Sequence, residues 1–416
     1  MLELRMPKKD VEELAIFGGP SVFDTELHVG RPNVGDREQL LQALNDIFDR
    51  RWLTNDGPYL KKFEQRICDL LDVRHCVAVC NATAGLEILA RALNLSGEVI
   101  VPSFTFVATA HALQWLGIKP VFCDVDPATH NIDPARAKEL INERTSAIIG
   151  VHVWGRPCDI AALVDLARQY NLRLLFDAAH AFACSYQNRF IGNFGDAEIF
   201  SFHATKFVNT FEGGAIVTND AALAQQLRLM RNFGFAGLDK VASVGINAKM
   251  NEICAAMGLV SLRSLDGFIE TNRRNYEQYE SRLDRIPGIS LVAYDQTGKC
   301  NYQYVVVVID DAGTGMTREL IDDILWAENV LTRRYFYPGC HRMEPYRTLY
   351  PEAAHRLPQT DRLTNNVLCL PTGSAIGTRE IDLICGLIDF IVRSSAAIKA
   401  RMSQGPISRH PFRRAS

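Results

Sequence analysis

The sequence predicts an α/β protein: a mostly parallel central sheet flanked by helices, followed by a smaller α+β domain. Three observations point there. Between about residues 75 and 220, short β-branched runs alternate with helical patterns, as they do in a parallel sheet with crossover helices. After about residue 285 the composition shifts from charged helix to a second set of strands and helices. And 416 residues exceed the usual span of one hydrophobic core, so two units are expected.

Taken in order, the apolar runs place strands at His75–Cys80, Glu98–Val101, Pro120–Val125, Ala147–Val153, Arg173–Phe176, Ala197–Phe202 and Ala215–Thr218. Helices are expected at Thr83–Leu93, Phe106–Trp115, Ile160–Tyr170 and Ala221–Asn232, the last two with apolar residues at three- and four-residue spacing. From Lys249 the chain reads as helical and charged to about Arg285. Then come a strand pair, Ile289–Val292 and Tyr302–Ile309, a helix at Thr317–Glu328 and a final helix near Glu380–Ser394. Residues 1–268 are assigned to the large domain, including an N-terminal segment 1–40, and 269–400 to the small one. Residues 401–416, rich in Arg, Pro and Ser, have little to bury and read as a basic disordered tail.

The bulk numbers exclude several classes. A hydrophobic fraction of 47% and a charged fraction of 22% belong to an ordinary soluble globular chain. A net charge of −3 gives no reason to expect nucleic acid or an anionic membrane as partner. No apolar run reaches membrane-spanning length, and charges stand near Met1 where a signal peptide needs its apolar core. Eleven cysteines, an odd number without a Cys-x-x-Cys, read as free thiols in a reducing compartment, hence a cytoplasmic location. No histidine has zinc-site spacing with cysteines or acids, so no metal is expected.

Chemistry concentrates between residues 174 and 220. Asp177 closes the run Leu174-Leu-Phe176, and Lys206 follows the next strand in Ser201-Phe-His-Ala-Thr-Lys206, shortly before Gly213-Gly214 open a third. Ligands of open α/β sheets bind beyond the carboxyl ends of strands. A lysine and an acid framed in this way suit pyridoxal phosphate: the amine condenses with the cofactor aldehyde and the acid holds the pyridine nitrogen protonated. Taken alone, Asp177 could equally cap the next turn. Asn81-Ala-Thr-Ala-Gly85 joins strand to helix, either as a phosphate seat on the N–H groups of Ala82 and Thr83 or as a capped helix start. Ser201 offers a hydroxyl to the same anion. Phe106 either lies flat over an aromatic ring or joins the core, and His180 either meets the cofactor or is a satisfied interior histidine. Asn247, just before a helical pattern, reads locally as an N-cap.

These motifs together resemble the DegT/DnrJ/EryC1/StrS family of sugar aminotransferases, a branch of the fold-type I pyridoxal phosphate enzymes. The similarity runs from Trp52-Leu-Thr-Asn-Asp-Gly-Pro58 to about residue 390. It is strongest at Val101-Pro-Ser-Phe-Thr-Phe-Val-Ala-Thr-Ala110, Asp177-Ala-Ala-His180, Ser201–Lys206 with Glu212-Gly-Gly214, and Asn247-Ala-Lys-Met250. The resemblance implies a homodimer with shared active sites. It makes Lys206 the cofactor lysine, Asp177 the pyridine-nitrogen partner and Phe106 the stacking ring. It gives the phosphate to Ala82, Thr83 and Ser201, with Asn247 reaching in from the neighbouring subunit. Three positions depart from the family's usual residues: Ala82 for Gly, His180 for Gln and Lys249 for Arg. Some members carry histidine in place of the lysine and act as dehydratases; Lys206 favours transamination. The stretches Gly150–Pro157 and Arg334–Tyr346 look most like enzymes that aminate C4 of dTDP-4-keto-6-deoxyglucose with L-glutamate as donor. Sugar contacts are then expected from Trp154, Lys249, Arg334, Tyr335 and Tyr337. The alternatives are a 3-keto sugar or cyclitol aminotransferase, or a regulator that binds the cofactor without turnover.

Overall fold

The computed structural model describes residues 8–404 and His410. Helices α1 (Arg37–Arg50) and α2 (Pro58–Leu71) lead into strand β1 (His75–Val79). There follow α3 (Ala82–Ala92), β2 (Glu98–Pro102), α4 (Ala108–Trp115), β3 (Lys119–Cys123), α5 (Pro134–Leu140) and β4 (Thr145–Val151). Next come α6 (Ile160–Tyr170), β5 (Arg173–Asp177), β6 (Ala197–Ser201), β7 (Gly214–Thr218) and α7 (Ala221–Met230). The seven strands lie in the order β1-β7-β6-β5-β4-β2-β3. Paired neighbours are parallel except at β7, which runs against both β1 and β6. This is the expected α/β architecture, and each expected strand and helix occurs within a few residues of its place.

Both faces of the sheet are covered, which is why its strands read as unbroken apolar runs rather than alternating ones. On one face Leu60, Phe63, Ile67 and Leu71 of α2 meet Leu163, Phe176 and Phe200. On the other, Leu86 and Leu89 of α3 meet Leu113, Ile149, Ile199 and Ile216. Each such side chain, fully buried, contributes roughly 1.5–3 kcal/mol. The expected strand Ala147–Val153 stops at Val151 because Trp154 takes φ 64° in a short 3-10 turn, Val153–Gly155.

Beyond α7 lie α8 (Glu252–Arg263), α9 (Leu265–Leu283), β8 (Ile289–Leu291), β9 (Val305–Ile309) and α10 (Arg318–Ala327). The chain continues through α11 (Pro358–Asn366), β10 (Val367–Leu370), α12 (Thr378–Arg393) and α13 (Ser395–Met402). Strands β8, β9 and β10 form an antiparallel sheet in that order. Strand β9 starts at Val305 rather than Tyr302. Tyr302 takes φ 50°, and Asn301 Nδ2 is turned to donate to the carbonyls of His180 (2.8 Å) and Phe182 (3.1 Å).

Two placements differ from the sequence reading. Part of the N-terminal segment, assigned to the large domain, packs on the small one: Leu14, Ile16, Val22 and Phe23 share a core with Tyr279, Leu325 and Ile384. The buried Glu328 carboxylate fixes it there, accepting from the N–H groups of Ala15 (2.8 Å) and Val22 (2.7 Å). Of the expected disordered tail, Arg401 and Met402 end α13, while residues 405–409 and 411–416 lie outside the described residues. No helix among the described residues is long and apolar enough to cross a membrane.

Candidate active site

The parallel registers bring the carboxyl ends of β2, β4, β5 and β6 to one edge of the sheet. Antiparallel β7 begins at that edge, with Gly214 paired to Val79 at the end of β1 and to Ser201 at the end of β6. Five sequence candidates therefore meet here: Asp177 ends β5, Ser201 ends β6, Ala82 and Thr83 open α3, and Lys206 sits in the loop after Ser201. The Lys206 N–H donates to the His203 carbonyl at 2.8 Å, which closes that loop.

Lys206 and Asp177 share one environment. Burial pushes the Lys206 amine down to about 8, with the Asp177 carboxylate opposing the shift. An enclosed ammonium loses its hydration, so the neutral amine gains. Lys206 Nζ lies 3.3 Å from the Tyr304 hydroxyl. Asp177 is 7% exposed, and burial raises its carboxyl above the usual range despite four favourable neighbours: the Ala179 N–H, the Thr109 hydroxyl, Lys206 and His152. Thr109 Oγ1 donates to Oδ2 at 2.8 Å and the Ala179 N–H to Oδ1 at 3.1 Å. Thr105 pairs in turn with Thr109 at 2.9 Å, so the carboxylate is held in one orientation.

Close by is the start of α3. Asn81 caps α3 by accepting from the Ala84 N–H at 2.8 Å. The N–H groups of Ala82 and Thr83 have no acceptor within the helix, as at every helix start, and lie at its positive end. Gly214 must stay bare, because a Cβ there would come within 2.8 Å of the Ala82 nitrogen and 2.9 Å of the Phe200 oxygen. Phe106, expected to open a helix, instead precedes α4 and is 58% exposed. His180 is buried, and burial, aided by Lys206, drops its pKa well below the ordinary value, leaving the ring neutral. Its Nδ1 accepts from the Trp154 N–H at 3.3 Å, so Nε2 carries the proton.

Other expected site residues are placed differently. Trp154 is 1% exposed; its indole N–H reaches His130 Nδ1 at 3.1 Å, and its ring stacks on Phe336 and His180. It backs His180 rather than facing a sugar. Asn247 is not a helix cap. Extended backbone continues past it, bridging Asn232 to Asn247 and Val79 to Lys249, so α8 starts only after Asn251, which caps Cys254 at 2.8 Å. Lys249 is held within its own chain by the side-chain oxygens of Asn232 (2.9 Å) and Asn247 (2.7 Å). Arg334 and Tyr337 turn to α10: Arg334 lies 3.5 Å from Asp322, and Tyr337 lies between the guanidinium groups of Arg318 and Arg334. Within that stretch Tyr335 faces the site, its ring 5.8 Å from that of Tyr304.

Thr109 and Tyr304 escaped the sequence reading. Thr109 had a signal, since Thr105 and Thr109 stand four apart at a helix start. Tyr304 had none, because it comes from the other domain.

The sequence pattern of the DegT/DnrJ/EryC1/StrS aminotransferase family matches residues 35–389. Over 351 residues the chain is 35% identical to a dTDP-4-amino-4,6-dideoxy-D-glucose transaminase of Escherichia coli, covering 84% of this chain and 94% of that protein. It is 32% identical to a GDP-perosamine synthase of Caulobacter vibrioides, with 86% and 95% covered. Among solved structures it is similar to DesI, studied in the presence of its TDP-sugar product, at 50% identity and a TM-score of 0.91, with 95% and 100% covered. A lysine amine and a carboxylate facing one cleft, on a fold and sequence shared over nearly the whole chain, place this protein in the DegT/DnrJ/EryC1/StrS aminotransferase family.

Proposed function

We propose that the chain is a pyridoxal phosphate enzyme that aminates C4 of dTDP-4-keto-6-deoxyglucose, with L-glutamate as the amino donor. The carrying observation is the enclosed Lys206 amine beside the buried Asp177 carboxylate. The choice of sugar rests on likeness to a transaminase named for the 4-amino product and to DesI.

The residues present fit the cofactor. An amine can take its aldehyde, a carboxylate its pyridine nitrogen, the start of α3 its phosphate, and exposed Phe106 one ring face. The bare Gly214 keeps the phosphate seat open. When bound, the cofactor supplies an electron sink for bonds at the amino-bearing carbon. The protein supplies the rest. Lys206 Nζ, depressed to about 8, is available as a nucleophile and, once released, takes and returns the proton at that carbon. Tyr304 orients Nζ through its hydroxyl. Asp177, fixed by Thr109 and Ala179, would hold a positive pyridine nitrogen against its carboxylate. Neutral His180 would offer its Nε2 proton to the bound cofactor without adding a competing charge. Ala82, Thr83 and Ser201 would hold the phosphate.

The same reading includes a homodimer with shared sites. The hairpin Phe235–Gly237/Lys240–Val241 and its flanks leave Phe233, Phe235, Leu238, Val241 and Val244 exposed, an apolar patch that a second copy would cover. Asn247, exposed beside it, would reach the partner's phosphate. Eleven free cysteines suit a reducing cytoplasm.

The test supplies cofactor, L-glutamate and dTDP-4-keto-6-deoxyglucose to the purified protein. The expected product carries its nitrogen on C4 by NMR, with 2-oxoglutarate released in equal amount. Nitrogen on C3 of a 3-keto substrate would establish the alternative sugar, and no turnover with any donor would leave a cofactor-binding regulator. A Lys206→Ala variant that still turns over would overturn the mechanism.

A further inference from the structure

On its way from the small domain to α1, the N-terminal segment crosses the loop that carries Lys206. Leu27 and His28 pair in parallel with Val330 and Leu331, and the Val29 N–H donates to the Leu331 carbonyl at 3.3 Å. Gly30 then lies against Thr205. It takes φ 74°, and a Cβ on it would come within 3.0 Å of Thr205 Cβ and 3.3 Å of the Thr205 carbonyl oxygen. Asn33 follows, 3% exposed, and its Nδ2 donates to the Phe207 carbonyl at 3.0 Å. The Asn33 carbonyl in turn accepts from Asn209 Nδ2 at 2.9 Å. One short strap thus touches both chain neighbours of the lysine, Thr205 and Phe207.

The other end of the Asn33 amide faces the small domain. Its Oδ1 accepts from the Ser374 hydroxyl at 2.6 Å and from the Ser374 N–H at 3.2 Å. Ser374 stands between β10 and α12, in a turn that Asn275 of α9 fixes by donating to the Gly373 carbonyl at 3.1 Å. A backbone N–H can only donate and a carbonyl can only accept, so the amide oxygen must face Ser374 and its nitrogen Phe207. Lys206 Nζ is also held from the small domain, by the Tyr304 hydroxyl at 3.3 Å. Main chain and amine of one lysine are therefore referred to the same domain by two separate routes.

We propose that Asn33 is a positioning residue for Lys206, holding the main chain beside it so that Nζ stays in reach of Tyr304 and the cofactor. This rests on the reading of Lys206 as the amine that takes the cofactor aldehyde. An amine that must act first as nucleophile and then as proton carrier works only if held to within about 0.5 Å. An asparagine that merely braces the fold would cost stability when lost and leave the lysine's chemistry as it was.

Three variants separate these roles. Asn33→Ala removes both arms, Ser374→Ala removes the small-domain hydroxyl alone, and Ile384→Val weakens the small-domain core without touching the strap. With protein stripped of cofactor, Asn33→Ala should slow cofactor uptake at pH 7.5 about tenfold. Its pH midpoint should rise by about one unit from about 8, as the loosened amine regains water. Asp177, His180 and Tyr304, the groups that face Nζ, are the same in every variant, so the shift reports the lysine's placement. In the half-reaction with L-glutamate the limiting rate should fall by a similar factor at an unchanged half-saturating concentration. Ser374→Ala should move both readouts the same way by about two- to threefold, and Ile384→Val neither. The proposal is overturned if Asn33→Ala keeps the wild-type midpoint and limiting rate, if Ile384→Val shifts the midpoint equally, or if the loss lies wholly in half-saturating concentrations. Should Asn33→Ala fail to fold, an unshifted midpoint in Ser374→Ala overturns it. A shifted midpoint in a protein that transaminates nothing would leave the role of Asn33 standing and remove the transaminase reading.

Discussion

An ammonium removed from water is destabilised relative to its neutral amine, which is why Lys206 titrates near 8 rather than 10.5. Its neutral fraction climbs from about a tenth at pH 7 to about nine tenths at pH 9. Uptake of cofactor by the stripped protein should therefore quicken about tenfold across that range and level off above it, followed by stopped-flow absorbance. A rate flat in pH would contradict the assignment. The same shift has a stability consequence. Between about 8 and 10.5 the unfolded chain binds more protons at this lysine than the folded one does. From this group alone, cofactor-free protein gains stability as pH rises through that window, checked by urea unfolding. Lys206 and Asp177 could be found from sequence because strand ends and Gly213-Gly214 frame them. The direction of Arg334 could not, since nothing local turns it toward Asp322.

Among the elements, α2 and α8 cross closely at Gly258. A Cβ there would meet Phe63 Cε2 at 2.5 Å and Thr210 Cγ2 at 2.8 Å. Gly258→Ala gains about 1 kcal/mol in helix propensity. Overpacking against an enclosed Phe63 costs about 1–3 kcal/mol. The cost should win, giving a lower denaturant midpoint with an unchanged slope; a midpoint equal to or above wild type would show that the helices part at little cost. The start of α8 is instructive in another way. The sequence offers two asparagines before the helical run, and local chemistry suits both as caps. Edge pairing of Lys249 with Val79 keeps Asn247 extended and leaves the cap to Asn251.

For the whole molecule, the exposed Phe235 and Leu238 are hard to reconcile with a lone chain in water. Leu238 alone is 97% exposed. Sedimentation should give a dimer for wild type, and Phe235→Asp with Leu238→Asp should shift it toward monomer and loosen cofactor retention. A monodisperse wild-type monomer would contradict the shared-site assembly.

By itself the sequence determined the βα alternation, the sheet's strands to within a few residues, and the lysine, acid and strand-to-helix loop at the strand ends. These are local matters: apolar runs, breakers and a residue's place after a strand carry the information. Only the tertiary structure decided that residues 14–23 serve the small domain, that Trp154 is enclosed, that Tyr304 meets Lys206, and that Arg334 turns to Asp322. Each of these depends on pairings between segments far apart in the chain, and side-chain direction follows the partner's register rather than the neighbours in sequence.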